Sequence, residues 1–210
     1  MNNKIIINTT LDNYYNDPIK IINNNFINND IDINNSVNLN NYKFNKKHFN
    51  PLLFKLIANN QKDKLNLVLK NNQNNLDINI QDKDGDTPLH IAIFLCNLDI
   101  IKILIKYGAD TKIKDKWGQT PIHRLYFCIN DNQILKIIDL LYKNNANFNE
   151  IDNFGNTVLH LALKQIIKLE IKLTDNHYKF INKLKSLISN EIKNNEKISI
   201  EDLLNMINYN

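Results

Sequence analysis

Arginine is almost absent from this chain of 210 residues: Arg124 is the only one. Nucleic-acid sites draw on clustered lysine and arginine, often with stacking aromatics, and one guanidinium cannot supply a bidentate set. The formal net charge of +4 therefore reads as a solvated surface of scattered lysines, and no nucleic-acid partner is expected. Glycine is scarce too, with four residues. They leave no material for a P-loop, a dinucleotide fingerprint or a nucleophile elbow, so catalysis is not expected. Cys96 and Cys128 have no metal-ligand spacing, and two cysteines make no disulfide framework. They are expected to be buried, reduced thiols in an intracellular, cytoplasmic protein. The apolar run Ile5-Ile6-Ile7 is far too short for a signal peptide, and nothing approaches the length that spans a bilayer. Neither metal, cofactor nor membrane is expected among the partners.

Asparagine, by contrast, makes up about a fifth of the chain, with isoleucine and lysine also abundant. These are residues of A/T-rich codons, so the bias reflects the genome more than function. The length suits one elongated domain.

The organised part of the sequence is a phrase that recurs: TPLH at 87–90, TPIH at 120–123 and TVLH at 157–160. His90 and His123 are 33 residues apart, His123 and His160 37. Each copy follows an Asp-x-x-Gly turn: Asp82 to Gly85, Asp115 to Gly118 and Asp152 to Gly155. Upstream stand the pairs Leu76-Asp77, Ala109-Asp110 and Ala146-Asn147, and the last residue of each pair precedes Pro88, Pro121 or Val158 by 11. The loop length is constant while the helical part varies. Gly85, Gly118 and Gly155 supply positive φ at a tight turn. Thr87, Thr120 and Thr157 are placed as helix N-caps, with Pro88 and Pro121 at the first helical position, where a missing N–H costs nothing.

This pattern resembles the ankyrin repeat, whose period is near 33. The resemblance implies an all-α ankyrin-repeat solenoid of about four helix-turn-helix repeats with hairpin loops, at 45–81, 82–114, 115–151 and 152–190. It also implies that His90, His123 and His160 bond to neighbouring backbone and tie adjacent repeats together. In the first repeat Asn50 replaces the threonine as cap, with a helix from Pro51 to about Ala58 and another from Asp63 to Lys70. The second repeat predicts helices over Pro88–Cys96 and Asp99–Tyr107. The third places its four extra residues near Asn130–Gln133, between helices, and resumes at Ile134–Tyr142. The fourth ends in a helix over His177–Ser189 after a cap-like Thr174-Asp175-Asn176. Residues 1–44 are either an Asn-rich arm or a degenerate capping repeat, and 191–210 form a C-terminal helix.

Stacked repeats present an extended surface that grips another protein. In ankyrin proteins the loop tips and first helices line that surface. Trp117 and Phe154, each third in its Asp-x-x-Gly turn, are therefore candidates for an aromatic anchor. Packing flat on the next loop is the structural alternative for both. Lys83, Asp84, Lys116 and Gln119 would form a polar rim, and a monomer is expected. Asp84-Gly85-Asp86-Thr87-Pro88-Leu89-His90-Ile91-Ala92 resembles the opening of repeats in IκB-type proteins, which mask Rel-type transcription factors. A short, A/T-biased protein of this kind is similar to ankyrin proteins of large DNA viruses, poxviruses included, that act on host signalling. The acidic signalling segment and tail of cellular IκB are missing here, so regulated degradation is not implied. Ile198 to Tyr209 resembles the first helix of an F-box, with Glu201, Leu203, Met206, Ile207 and Tyr209 in register. That resemblance implies, as the alternative, a substrate adaptor contacting a ubiquitin-ligase component. A helix that seals the end of the solenoid would carry the same pattern.

Overall fold

Every local signal in the repeated phrase becomes a helix boundary. The structure, a computed structural model, describes residues 46–72, 76–169 and 171–188. Eight helices and no strand occur among the described residues. They are α1 (Lys46–Ala58), α2 (Lys62–Asn72), α3 (Pro88–Phe94), α4 (Leu98–Lys106), a 3-10 helix (Pro121–Cys128), α5 (Ile134–Lys143), α6 (Val158–Lys168) and α7 (Asp175–Leu187). Thr87, Thr120 and Thr157 stand in extended conformation as the N-caps of α3, the 3-10 helix and α6.

The other helix ends have a sequence cause as well. After α1, α3, α4 and α5 the chain turns through one residue of positive φ, at Asn60, Cys96, Gly108 and Asn145 respectively. At each turn two crossed main-chain bonds close the helix, as in Cys96 N–H to Ile93 O (2.8 Å) and Asn97 N–H to Ala92 O (3.0 Å). These crossed bonds satisfy carbonyls that the last helical turn leaves without intrahelical donors.

The helices pair as α1/α2, α3/α4, 3-10/α5 and α6/α7, and each pair stacks on the next. α1, α3, the 3-10 helix and α6 form one row; α2, α4, α5 and α7 form the other. The extensive helix contacts lie within one pair or between neighbouring pairs. The interior is correspondingly a single ribbon of apolar side chains, mostly aliphatic, with Phe54, Phe148 and Phe180 among them. In α4, Ile100, Ile101 and Leu104 are fully buried, and each contributes roughly 1.5–3 kcal/mol. No one pair could provide this interior separately.

Several expectations need correction. α1 starts at Lys46, so Asn50 lies inside the helix instead of capping it. Lys46 to Phe49 contain no helix breaker, and the helix runs through Pro51 at the cost of one main-chain bond. α7 begins at Asp175 with Thr174 as its cap, two residues before the expected start. Cys96 and Cys128 are not separate thiols: they are joined as a disulfide, with their Cα atoms 5.4 Å apart. Cys128 ends the 3-10 helix and Cys96 follows α3, so stacking of one repeat on the next brings them together. The arm or capping repeat at 1–44 and the C-terminal helix at 191–210 lie outside the described residues. No helix among the described residues is long and apolar enough to cross a membrane.

Candidate protein-docking edge

The loops between repeats are built on aspartate. In each hairpin one carboxylate oxygen accepts two main-chain N–H groups. Asp82 takes those of Asp84 and Asp86, Asp115 those of Trp117 and Gln119, and Asp152 those of Phe154 and Asn156, all at 2.8–2.9 Å. The glycine closes the turn by donating to the same aspartate's carbonyl, as Gly85 does to Asp82 at 3.1 Å.

Successive hairpins then join edge to edge. Lys116 N–H donates to Asp84 O (3.1 Å) and Asn153 N–H to Trp117 O (2.9 Å). Glycine is required here for closeness as well as for conformation. A Cβ on Gly85 (φ 83°) would lie 2.9 Å from the Asp115 Cα and the Lys116 nitrogen. Gly155 has no atom within 4 Å of the equivalent position.

The histidines bind the hairpins to the helices. His90 Nδ1 accepts the Thr87 N–H at 3.0 Å and lies 2.8 Å from the Thr87 hydroxyl, so imidazole takes the part that Glu or Gln plays in a capping box. With Nδ1 accepting, the proton sits on Nε2, which donates to Gln119 O in the next hairpin at 3.0 Å. His123 repeats the arrangement towards Asn156 O at 3.3 Å. Burial holds His90 neutral, its pKa lowered to about 4, and lowers that of His123 as well. His160 is lowered to about 4 by burial and by Lys164.

A polar chain runs beneath the hairpins. Arg124 is 2% exposed, and one of its terminal nitrogens lies 2.7 Å from both Asp86 Oδ1 and Asp115 Oδ2. Its other terminal nitrogen donates to Gln119 Oε1, and Gln119 Nε2 donates to Asp152 Oδ2 at 3.1 Å. Asp86, His90 and Asp115 are the group of potential metal ligands that converges most closely among the described residues. The two aspartates share the guanidinium as their cation, and both His90 nitrogens are already used. The cluster is an internal ion pair. Burial raises the pKa of Asp115 while Arg124 opposes the rise.

The predicted rim divides on this geometry. Lys83 is exposed. Asp84 is 5% exposed and binds the Lys116 ammonium, and Gln119 is 1% exposed with both ends of its amide engaged. These two serve the hairpin ladder from inside, because Asp84 is paired with Lys116 of the next hairpin and Gln119 is held between Arg124 and Asp152. Lys116 reaches back over the Trp117 indole, with its nitrogen 4.3 Å from the ring centroid, and Trp117 is half-buried. Phe154 stands out at 52% exposure, with Ile151 at 46% in the same loop.

Two features escape sequence reasoning. Arg124 looks merely isolated along the chain, because its partners lie on other repeats or across a turn. A fourth Thr-x-x-His, Thr174 to His177, is legible but lacks the preceding Asp-x-x-Gly. Thr174 N–H donates to His177 Nδ1 at 3.0 Å, and Nε2 pairs with Asn130 Oδ1 at 2.9 Å. The insertion in the third repeat is thereby anchored to α7.

Stacked helix pairs joined by a ladder of identical hairpins define a class of protein, the repeat scaffold that offers its loops and helix faces to other proteins. Residues 16–115 match the family model described as ankyrin repeats, three copies. That part of the chain carries ankyrin repeats. The third and fourth repeats lie almost wholly beyond that match, and their aspartate turns and threonine–histidine caps carry the same geometry onward. Among curated proteins, the chain is 37% identical over 59 residues to a putative ankyrin repeat protein of Rickettsia felis, covering 28% of this chain and 19% of that one. It is 36% identical over 69 residues to a putative ankyrin repeat protein of fowlpox virus, covering 32% and 13%. A stretch of 43 residues is 44% identical to alpha-latrotoxin-Lh1a of Latrodectus hasselti, covering 20% and 3%. The chain thus spans a minor part of each of these relatives. Ankyrin repeats imply a protein-interaction module, and the family is generally non-enzymatic.

Proposed function

We propose that this protein binds another protein through the hairpin edge of its third and fourth repeats, with Phe154 as the central anchor. The observation that carries the reading is the fate of one position in three copies. Asp84 is drawn inward by Lys116, Trp117 lies under the same ammonium, and Phe154 is left half in water. Docking buries the rest of its ring, which contributes about 1 kcal/mol, enough to matter in a surface otherwise lined by lysine and asparagine. Ile151 and Trp117 extend the apolar strip, and Lys83, Lys116 and Asn153 provide its polar border. An IκB-like inhibitor of host signalling acting on a Rel-type factor is the narrower form of this function. A ubiquitin-ligase component reached through Ile198–Tyr209 is the alternative; that segment lies outside the described residues.

A photo-crosslinking residue at position 154 tests the edge directly, with the same residue at exposed Tyr142 on α5 and Tyr178 on α7 as controls. A discrete adduct from the 154 variant and none from the controls is the expected result, and the captured protein's identity then separates the two partner classes. With that partner purified, Phe154→Ala should weaken binding about tenfold at unchanged helical content, and Trp117→Ala combined with it further still. Equal capture from all three positions, or unaltered affinity in the double variant, removes the proposal.

A further inference from the structure

The residue that closes α3 is unusual for its place. Asn60, Gly108 and Asn145 occupy the left-handed position after their helices, and Cys96 (φ 54°) occupies it after α3. Glycine tolerates this conformation for want of a Cβ, and asparagine through local hydrogen bonding. Cysteine has neither advantage, and a strained residue of this kind points to a use for its side chain. The use lies on the next repeat. Cys96 follows His90 by six residues and Cys128 follows His123 by five, yet the 3-10 winding of Pro121–Cys128 and the left-handed turn at Cys96 bring the Cα atoms to 5.4 Å, within reach of a disulfide. In the bonded state Ile93 O lies 3.0 Å from the Cys128 sulfur and Phe94 O 3.7 Å from that of Cys96, so each thiol has a carbonyl to donate to once reduced. Cys96 is half-buried and Cys128 buried.

We propose that Cys96 and Cys128 form a reversible disulfide that locks the second repeat to the third and is made and broken by thiol–disulfide exchange. Cys96, the more accessible, attacks a small disulfide such as oxidised glutathione as its thiolate; one glutathione leaves as thiolate and a mixed disulfide remains. The Cys128 thiolate then attacks the Cys96 sulfur and expels the second glutathione. Two protein thiols are oxidised, one glutathione disulfide is reduced to two thiols, and the two protons released by the protein thiols pass through solvent to the glutathione thiolates. Excess reduced glutathione runs the sequence backwards. The lock closes a loop spanning a sequence separation of 32, which removes freedom from the unfolded chain. It stands apart from the hairpin edge, so its test does not depend on any partner.

The full chain, equilibrated in buffers of graded oxidised-to-reduced glutathione ratio, is alkylated and digested with trypsin. The peptides 84–102 and 125–136 are expected as one linked species that separates on reduction. The unfolding constant from urea titration should be about a hundredfold smaller for the oxidised than for the reduced chain. Cys96→Asn, which suits the left-handed turn, and Cys96→Ser with Cys128→Ser should both fold and show no response to reductant. Linkage between molecules, absence of the linked peptides, or equal unfolding constants in the two states would overturn the lock. So would a response to reductant that persists in the variants.

Discussion

Replacing Arg124 with methionine tests the idea that the hairpins are held from beneath by one buried cation. Methionine keeps most of the volume and removes the charge. Asp86 and Asp115 are each 2.7 Å from the guanidinium and are themselves buried, so both carboxylates lose their counter-charge inside the fold. Breaking a buried pair in this way costs about 3–5 kcal/mol, mostly the penalty of the charges left behind. Against a total stability of about 5–15 kcal/mol, this is a large part of the whole. The assay is urea unfolding followed by helical circular dichroism and by fluorescence of Trp117, the sole tryptophan, whose ring centroid lies 5.9 Å from the Arg124 guanidinium carbon. The decisive comparison is the triple variant Arg124→Met, Asp86→Asn, Asp115→Asn. It removes cation and anions together, while the amide oxygen introduced at position 115 can still accept the main-chain bonds of the turn. It should therefore be more stable than Arg124→Met alone, although it carries two more substitutions. An Arg124→Met protein within about 0.5 kcal/mol of the parent, or a triple variant less stable than the single, would refute the argument.

Acid should loosen the protein before it reaches the carboxylate range. His90 titrates at about 4 in the fold and at 6.5 when free, so the unfolded chain holds the extra proton between these values. Stability therefore falls as pH drops from about 6.5 to 4, by up to about 3 kcal/mol for this residue, and His160 acts in the same direction. Asp82, raised to about 6 by burial and by Asp86, works oppositely, and the histidines outweigh it. His90→Gln can keep the capping geometry without titrating; its urea midpoint should vary less between pH 7 and 5, and equal slopes would sink the explanation. Gly155→Ala should cost about 1–2 kcal/mol for its positive φ alone. Gly85→Ala should cost at least about 1 kcal/mol more in thermal unfolding, because its Cβ meets the backbone of the next hairpin. Equal losses would mean that hairpin contact adds nothing.

What can be read from the residues is what depends on near neighbours in the chain. The Asp82, Asp115 and Asp152 turns, the threonine caps and the glycine conformations all form within about five residues of each other. Their recurrence is enough to place the hairpins and to predict four stacked pairs. The start of α1 escapes because Pro51 reads as a first helical residue, whereas the helix carries it in its interior. The candidate edge is only half legible: the third turn position is visible, but nothing in its three occupants announces how far each will be exposed.

The repeating unit follows from the order of residues, since a turn and a cap are closed by bonds whose donors and acceptors travel together along the chain. Stacking alone settles which charges are shared, which loop residues turn inward and which thiols meet. Arg124 and Asp86 are 38 residues apart, Gln119 and Asp152 33, and Cys96 and Cys128 32. Those separations are close to one repeat, so they become contacts only when one repeat is laid against the next.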